Sequence, residues 1–511
     1  MLVLTRCIAS RAAKRTRTNI RWPNRLVIYI VFVLAQVSKV IYLIRRIASE
    51  ESRAVARHKS CYFFIIGRNM EPVFEEEEVE EEVDLDKRFQ FPKDVVIKKF
   101  EDKNLVIYTE GVLWLVLDDC ELEIYKELSN GKSIQEVLEI FDEENVVRVI
   151  SQIEAKQFEH PVVAHSNEKN IYIYLTNNCN ERCKHCYMYA GDIKIEEMPT
   201  EIWKEVLSDF KRCGGHGVTF TGGEVTVYKG YEVLLRHAHE LGLNVTVLTN
   251  GILWNDKSIK ECGPYIDEVQ ISIDGYDKES YYKVRQFDGF EKAISTLITF
   301  SRLGVRASMA VTPLYDDLEE FIHNFEPFAK SIIEENPEIY IRFNLELLDG
   351  RDVRKTQIGN AEYRKNIRNL VERLYPNYYL ETFPLNYEGH IIRKNCGFGE
   401  IAIAANGDVF WCNRIHELTS RWNIRTSKFE DILIASDKIK LTTDVEHSSA
   451  CMKCDIKYIC GGDCRMNYEG ISDADSHEGV WTNTCPKGTK ENIYRKMVLS
   501  NEYFYVDLDE E

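Results

Sequence analysis

From residue 171 onward the chain repeats one pattern six times, a short apolar run followed by a longer amphipathic stretch. Runs at 171–175, 217–221, 244–248, 268–273, 306–311 and 340–344 have the length and β-branched content of strands. Segments 200–211, 231–241, 278–302 and 318–334 between them carry apolar residues at helical spacing. Helical crossovers of this length are what joins parallel strands. The repeat therefore predicts an α/β fold with a parallel sheet curved into a partial barrel, a (β/α)6 arrangement like part of a TIM barrel. Chemistry in such folds gathers at the carboxyl ends of the strands, so the loops after them hold the candidate functional residues.

The first of those loops reads Asn177-Asn178-Cys179-Asn180-Glu181-Arg182-Cys183-Lys184-His185-Cys186-Tyr187, a C-x3-C-x2-C run. Its three thiolates suit one compact soft-metal centre. Iron–sulfur loops place cysteines this closely and take a fourth from elsewhere. Here no fourth follows, which leaves one metal position open, as in a catalytic rather than a structural site. A zinc knuckle completed by His185 is the plainer alternative, although that histidine sits between two of the cysteines. The second strand ends in Thr221-Gly222-Gly223-Glu224, where two glycines admit close backbone approach and an acid can accept hydrogen bonds from an ammonium group. Thr249-Asn250-Gly251 and Ser272-Ile273-Asp274-Gly275 close the third and fourth strands. Taken alone these are turn sequences. Arg285 follows in Tyr281-Tyr282-Lys283-Val284-Arg285. Near the C-terminus lie Cys396, Cys412, the quartet Cys451, Cys454, Cys460 and Cys464, and then Cys485. The quartet by itself could be a closed zinc site.

A chain of 511 residues exceeds one hydrophobic core and predicts two to four domains. Its formal net charge of −18 argues against a nucleic-acid partner, since phosphate binding needs basic stripes. Fifteen cysteines gathered in C-x2-C patterns point to metal sites and a reducing, cytoplasmic setting. The charge is uneven: residues 1–69 carry 14 Lys and Arg against Glu50 and Glu51, which leaves the remainder at about −30. The apolar stretch 26–44 is barely long enough to span a bilayer, and basic residues on both sides give it no orientation, so membrane association is not expected. Met70 opens an acidic segment. Residues 1–69 are therefore expected to be an upstream extension not needed for activity, and 70–90, with its run Glu75 to Glu82, a self-repelling linker.

Between 91 and 160 three short strands, at 95–99, 105–109 and 111–117, precede three helical segments. The first of these, 120–128, stops at Asn130-Gly131. Ser133 with Glu136 forms a capping box for the second, and 146–157 carries an apolar stripe. A winged-helix shape would invite a DNA-binding reading, but Glu121, Glu123, Glu136, Glu139, Asp142, Glu143 and Glu144 would repel phosphates.

On the C-x3-C-x2-C loop followed by Tyr187, the chain resembles the radical SAM family. That resemblance implies that Cys179, Cys183 and Cys186 hold a [4Fe-4S] cluster whose open iron chelates S-adenosylmethionine. It also implies that Gly222, Gly223 and Glu224 bind the methionine amino group and that Asn250, Ser272 and Asp274 lie near the ribose. Tyr187 would touch the cofactor, and Arg285 would face its carboxylate. The seven later cysteines, with Gly407, resemble the SPASM pattern. By that resemblance Cys451, Cys454, Cys460 and Cys485 hold one auxiliary four-iron cluster, while Cys396, Cys412 and Cys464 hold a second that lacks one cysteine. Cys7, Cys61, Cys120, Cys213 and Cys262 are read as ordinary thiols. The segment 91–160 resembles the PqqD-like recognition element, in which a leader peptide adds as a strand.

The whole looks like a maturase of ribosomally made peptides, with a leader-binding domain at 91–160, a radical SAM barrel at 168–375, a SPASM domain at 380–490 and a C-terminal helix and acidic tail at 491–511. The expected reaction is a thioether or carbon–carbon crosslink in a precursor peptide, with flavodoxin or ferredoxin as electron donor. The alternatives are a maturase of folded proteins, similar to sulfatase maturases, and a non-catalytic iron–sulfur electron carrier.

Overall fold

The computed structural model describes residues 84–159, 169–354, 357–376 and 389–509. The basic extension, the acidic run 75–82, Cys7, Cys61 and the apolar stretch 26–44 lie outside them. Among the described residues no helix is long and apolar enough to cross a membrane.

A small antiparallel sheet comes first, in the order β1 (Val95–Phe100), β2 (Lys103–Tyr108), β3 (Leu113–Leu117). The third strand starts later than the sequence predicts because residues 109–112 turn: Val112 adopts φ 54° and its N–H donates to the Thr109 carbonyl. Three helices follow, Asp119–Ser129, Ile134–Leu138 and Glu143–Ala155. Each starts on a side chain that accepts an otherwise unpaired N–H. Asp118 and Ser133 do so in capping boxes with Glu121 and Glu136, and Asp142 starts the third helix three residues before the expected point. One face of the sheet packs Val106, Leu115 and Leu117 on Ile124, Leu128, Val149 and Ile153 of its own helices. The other face packs Leu105, Ile107 and Trp114 on Ile456, Tyr458, Tyr494 and Met497, residues of the C-terminal region. Both faces are covered, so β3 is buried throughout.

The main sheet has the expected α/β architecture. Strands β4 (Asn170–Tyr174), β5 (Gly217–Thr221), β6 (Asn244–Thr249), β7 (Glu268–Ser272), β8 (Arg306–Val311) and β9 (Tyr340–Phe343) are parallel neighbours in chain order. The helices Thr200–Arg212, Tyr231–Glu240, Phe290–Arg302 and Leu318–Glu335 cross between them, and Trp203, Phe210, Leu234 and Phe300 pack with Ile171, Phe220, Val247 and Ile271 in one core. Two features depart from the sequence reading. The single helix expected at 278–302 is two, Lys278–Arg285 and Phe290–Arg302, because Gln286 turns left-handed at φ 55° and closes the first. Among the described residues the sheet also has nine strands. A three-residue strand β10 (Ile401–Ile403) lies parallel to β4, and β11 (Asp408–Phe410) and β12 (Trp422–Asn423) extend it antiparallel. Gly407 makes the turn between β10 and β11, its N–H donating to the Ala404 carbonyl. The C-terminal cysteine region is thereby stitched to the edge of the sheet beside the strand that leads into the cysteine loop.

Candidate cluster and cofactor site

The cysteine loop leaves β4 and is held from three sides. The Gly223 N–H donates to the Thr176 carbonyl at 2.8 Å and the Glu224 N–H to the Asn178 carbonyl at 2.9 Å. A Cβ on Gly222 would fall on the Thr176 carbonyl and one on Gly223 on that of Asn178, so the two glycines are what allows the loop after β5 to lie against the cysteine loop. Gly191 N–H closes the loop on the Asn177 carbonyl at 2.7 Å. Arg351, which follows β9, spans it from the other side. Its guanidinium donates to the carbonyls of Cys183 and Ala190, each at 2.8 Å, and to Asp192 Oδ2 at 2.7 Å. Sequence reasoning missed Arg351, because nothing near it in the chain marks its partners 160 residues away.

Burial pushes the Cys179 thiol up to about 12 and the Cys183 thiol higher still. A donor set made only of sulfur suits an iron–sulfur centre. Among the described residues no three His, Cys, Asp or Glu side chains converge as around a single ion. In a four-iron cluster each cysteine binds its own iron, a wider arrangement than a single ion requires. Beside the thiols, Asn177 Oδ1, Asn180 Nδ2 and His185 Nδ1 are buried without a partner. Groups left this way are costly unless a ligand or water meets them, so the residues present fit a polar cofactor next to a cluster.

Behind the loop lies an ionic triad. Arg285 is 6% exposed and sits between Glu181 (2%) and Asp274 (1%). Its Nη1 donates to Glu181 Oε2 and its Nε to Asp274 Oδ2, both at 2.7 Å. Tyr281, one helical turn earlier, donates to Glu181 Oε1 at 2.8 Å, and the Thr312 N–H donates to Asp274 Oδ1 at 2.6 Å. Cys183 Sγ lies 3.6 Å from Glu181 and His185 Nε2 3.5 Å from Asp274. The break after Arg285 is what ends the helix at this point. Asp274 and Arg285 thus engage each other, with Glu181 as a third member that the sequence reading passed over. The available signal was an acid inside a cysteine loop.

Glu224 is 1% exposed and is a junction between loops. Its carboxylate accepts from the Thr226 N–H at 3.1 Å, the Thr226 and Thr249 hydroxyls at 2.7 Å each, and the Asn250 N–H at 2.8 Å. Burial nonetheless pushes its carboxyl up. Asn250 Nδ2 donates to Asn180 Oδ1 at 2.8 Å, tying the loop after β6 to the cysteine loop. Ser272 is half-buried at the end of β7. The Tyr187 hydroxyl lies 3.3 Å from that of Tyr174 and donates to the Asn413 carbonyl at 3.4 Å. Burial pushes Tyr187 up to about 12, with Cys186 and Cys412 adding.

The later thiols form two groups. Burial raises Cys412 to about 11, with Cys396 and Cys464 adding, and raises Cys460 to about 11, with Cys451, Cys454 and Cys485 adding. Arg414 stands beside the first group. Its Nη1 is 3.8 Å from Cys464 Sγ, and Nε and Nη2 pair with Glu417 at 2.6 Å each.

Residues 173–326 match the Radical SAM superfamily. The chain is 33% identical over 141 residues to the sporulation killing factor maturation protein SkfB of Bacillus subtilis, a match covering 27% of this chain and 34% of that protein. It is 25% identical over 344 residues to the Fe-coproporphyrin III synthase of Methanosarcina barkeri, covering 58% and 83%. The solved structure of anSMEcpe with bound AdoMet has the same fold, with a TM-score of 0.50 at 15% identity, covering 66% of this chain and 99% of that one. Superfamily membership implies S-adenosylmethionine and a [4Fe-4S] cluster as cofactors. Residues 173–326 of this chain therefore form a domain of the Radical SAM superfamily of enzymes.

Proposed function

We propose that the chain modifies a ribosomally made precursor peptide, forming a thioether or carbon–carbon crosslink. The observation that carries this reading is the presence in one molecule of three thiol groups, one in the loop after β4 and two in a region tied to that strand through β10. The likeness to SkfB, a maturation protein, supports it. When bound, S-adenosylmethionine and its cluster would supply radical chemistry at the loop after β4, and the C-terminal thiols would hold clusters suited to take up the electron that crosslinking releases.

Cys179, Cys183 and Cys186 hold the first cluster. Gly222, Gly223 and Glu224 shape the methionine end of the cofactor site, with Asn250, Ser272 and Asp274 near the ribose and Tyr187 against the cofactor. In this reading Arg285 acts through Asp274 and Glu181 and fixes the walls of the site. Cys396, Cys412 and Cys464 hold one auxiliary cluster, and Cys451, Cys454, Cys460 and Cys485 the other. The small sheet at 95–117 takes the leader as an added strand through main-chain hydrogen bonds, which raises the effective concentration of the core peptide. A flavodoxin or ferredoxin delivers electrons.

The test is incubation of the anaerobically reconstituted enzyme with S-adenosylmethionine, reductant and the short peptide encoded beside its gene. The expected product is lighter by two hydrogens per crosslink. The longer match to the Fe-coproporphyrin III synthase favours a second reading, a small-molecule substrate. Turnover of a porphyrin with the peptide left unchanged would establish that reading instead.

A further inference from the structure

Arg465 is wholly buried, yet among the described residues no carboxylate pairs with it. Its guanidinium donates only to main-chain carbonyls: Thr443 and Gly461 at 2.8 Å each, Asp463 at 2.7 Å and Arg393 at 3.1 Å. A guanidinium stays charged inside a protein, and a buried charge is costly unless an opposite charge answers it. Four carbonyl dipoles satisfy its hydrogen bonds and leave its net charge standing.

The position of this cation says where the answering charge belongs. Gly461 and Asp463 lie between Cys460 and Cys464, one thiol from each C-terminal group, and Arg393 lies on the segment that leads to Cys396. The loop wraps directly on the guanidinium: a Cβ on Gly462 would stand 2.9 Å from Nη1. The charge also lies over the Tyr468 ring, 5.5 Å from its centroid. The loop that wraps Arg465 therefore runs from a thiol of one group, Cys460, to a thiol of the other, Cys464. Thiolate-ligated iron–sulfur clusters are anionic, and reduction makes them more so. A fixed cation beside them stabilises the reduced form, and local charge is one of the factors that set the potential of such a cluster.

We propose that Arg465 is the shared countercharge of the two auxiliary clusters and holds their reduction potentials up, so that they can accept an electron from a substrate radical. This rests on the reading that the seven C-terminal cysteines hold two clusters.

The test uses the full chain with Cys179, Cys183 and Cys186 replaced by Ala, so that only auxiliary signals remain, reconstituted anaerobically and titrated for potential by electron paramagnetic resonance. Arg465→Gln is expected to move both midpoint potentials to more negative values, and Arg465→Lys, which keeps the charge, to move them less. Unchanged potentials in Arg465→Gln with iron content retained overturn the proposal. Should Arg465→Gln lose its iron, the lysine variant decides. Retention in Arg465→Lys supports the charge role, whereas equal loss in both means that Arg465 only stitches the backbone and overturns the proposal. Absence of any auxiliary cluster in the parent protein is a separate outcome: it defeats the two-cluster reading and takes this proposal with it.

Discussion

Replacing Arg285 with Met strands two carboxylates, Glu181 and Asp274, in a site where both are almost fully buried. Breaking a buried pair from one side costs about 3–5 kcal/mol, so Arg285→Met is expected to lower the unfolding free energy by that order, read from denaturant midpoints. Its double replacement with Glu181→Gln should recover part of the loss, because one unpaired charge is gone. A midpoint unchanged in Arg285→Met would mean that the triad contributes nothing to folding. The glycine pair gives a second check at this scale. Gly223→Ala puts a methyl on the Asn178 carbonyl, and overpacking of this kind costs about 1–3 kcal/mol. Because the strain falls on the cysteine loop, iron bound after reconstitution is expected to drop in Gly223→Ala, while iron held by the C-terminal thiols in the proposed reading would stay as before.

Among elements, the helix Ile134–Leu138 shows how a local cap carries pH dependence. Arg88, together with the Ser133 N–H, holds the Glu136 carboxyl down at about 2. A depressed folded value stabilises the fold above the ordinary carboxylate range and loses that contribution as pH falls from about 4.5 toward 2. Glu136→Gln is therefore expected to be less stable than the parent near neutral pH and to lose less on acidification, as thermal unfolding at several pH values would show. The Ser133-x-x-Glu136 spacing made this cap legible in the sequence, and the six parallel strands were legible for a similar reason, since each is bounded by local pattern. What sequence could not show depends on distant partners. β10 is three residues long, and its place in the sheet comes from pairing with β4, far away in the chain, as well as with its neighbour β11. The break at Gln286 is set by one left-handed residue inside a helical pattern. Glu181 was in plain view in the cysteine loop, but its meaning comes from Arg285 and Tyr281, a hundred residues away.

Across the whole molecule, the small sheet, the parallel sheet and the C-terminal cysteine region are joined through specific contacts rather than strung along the chain. The C-terminal region covers the free face of the small sheet and extends the edge of the large one. Tyr187, next to Cys186 in the chain, donates to the carbonyl of Asn413, next to Cys412, and so links the first cysteine loop to the C-terminal region. In the proposed reading, this architecture would let one chain hold a peptide, generate a radical and receive an electron without release of the substrate between steps. The first requirement of that account is radical chemistry at the loop after β4. The direct measurement is 5'-deoxyadenosine formed by the anaerobically reconstituted chain with S-adenosylmethionine and dithionite, compared with Cys183→Ala. The expected result is 5'-deoxyadenosine from the parent and none from the variant, and an iron-loaded parent that forms none would contradict the account.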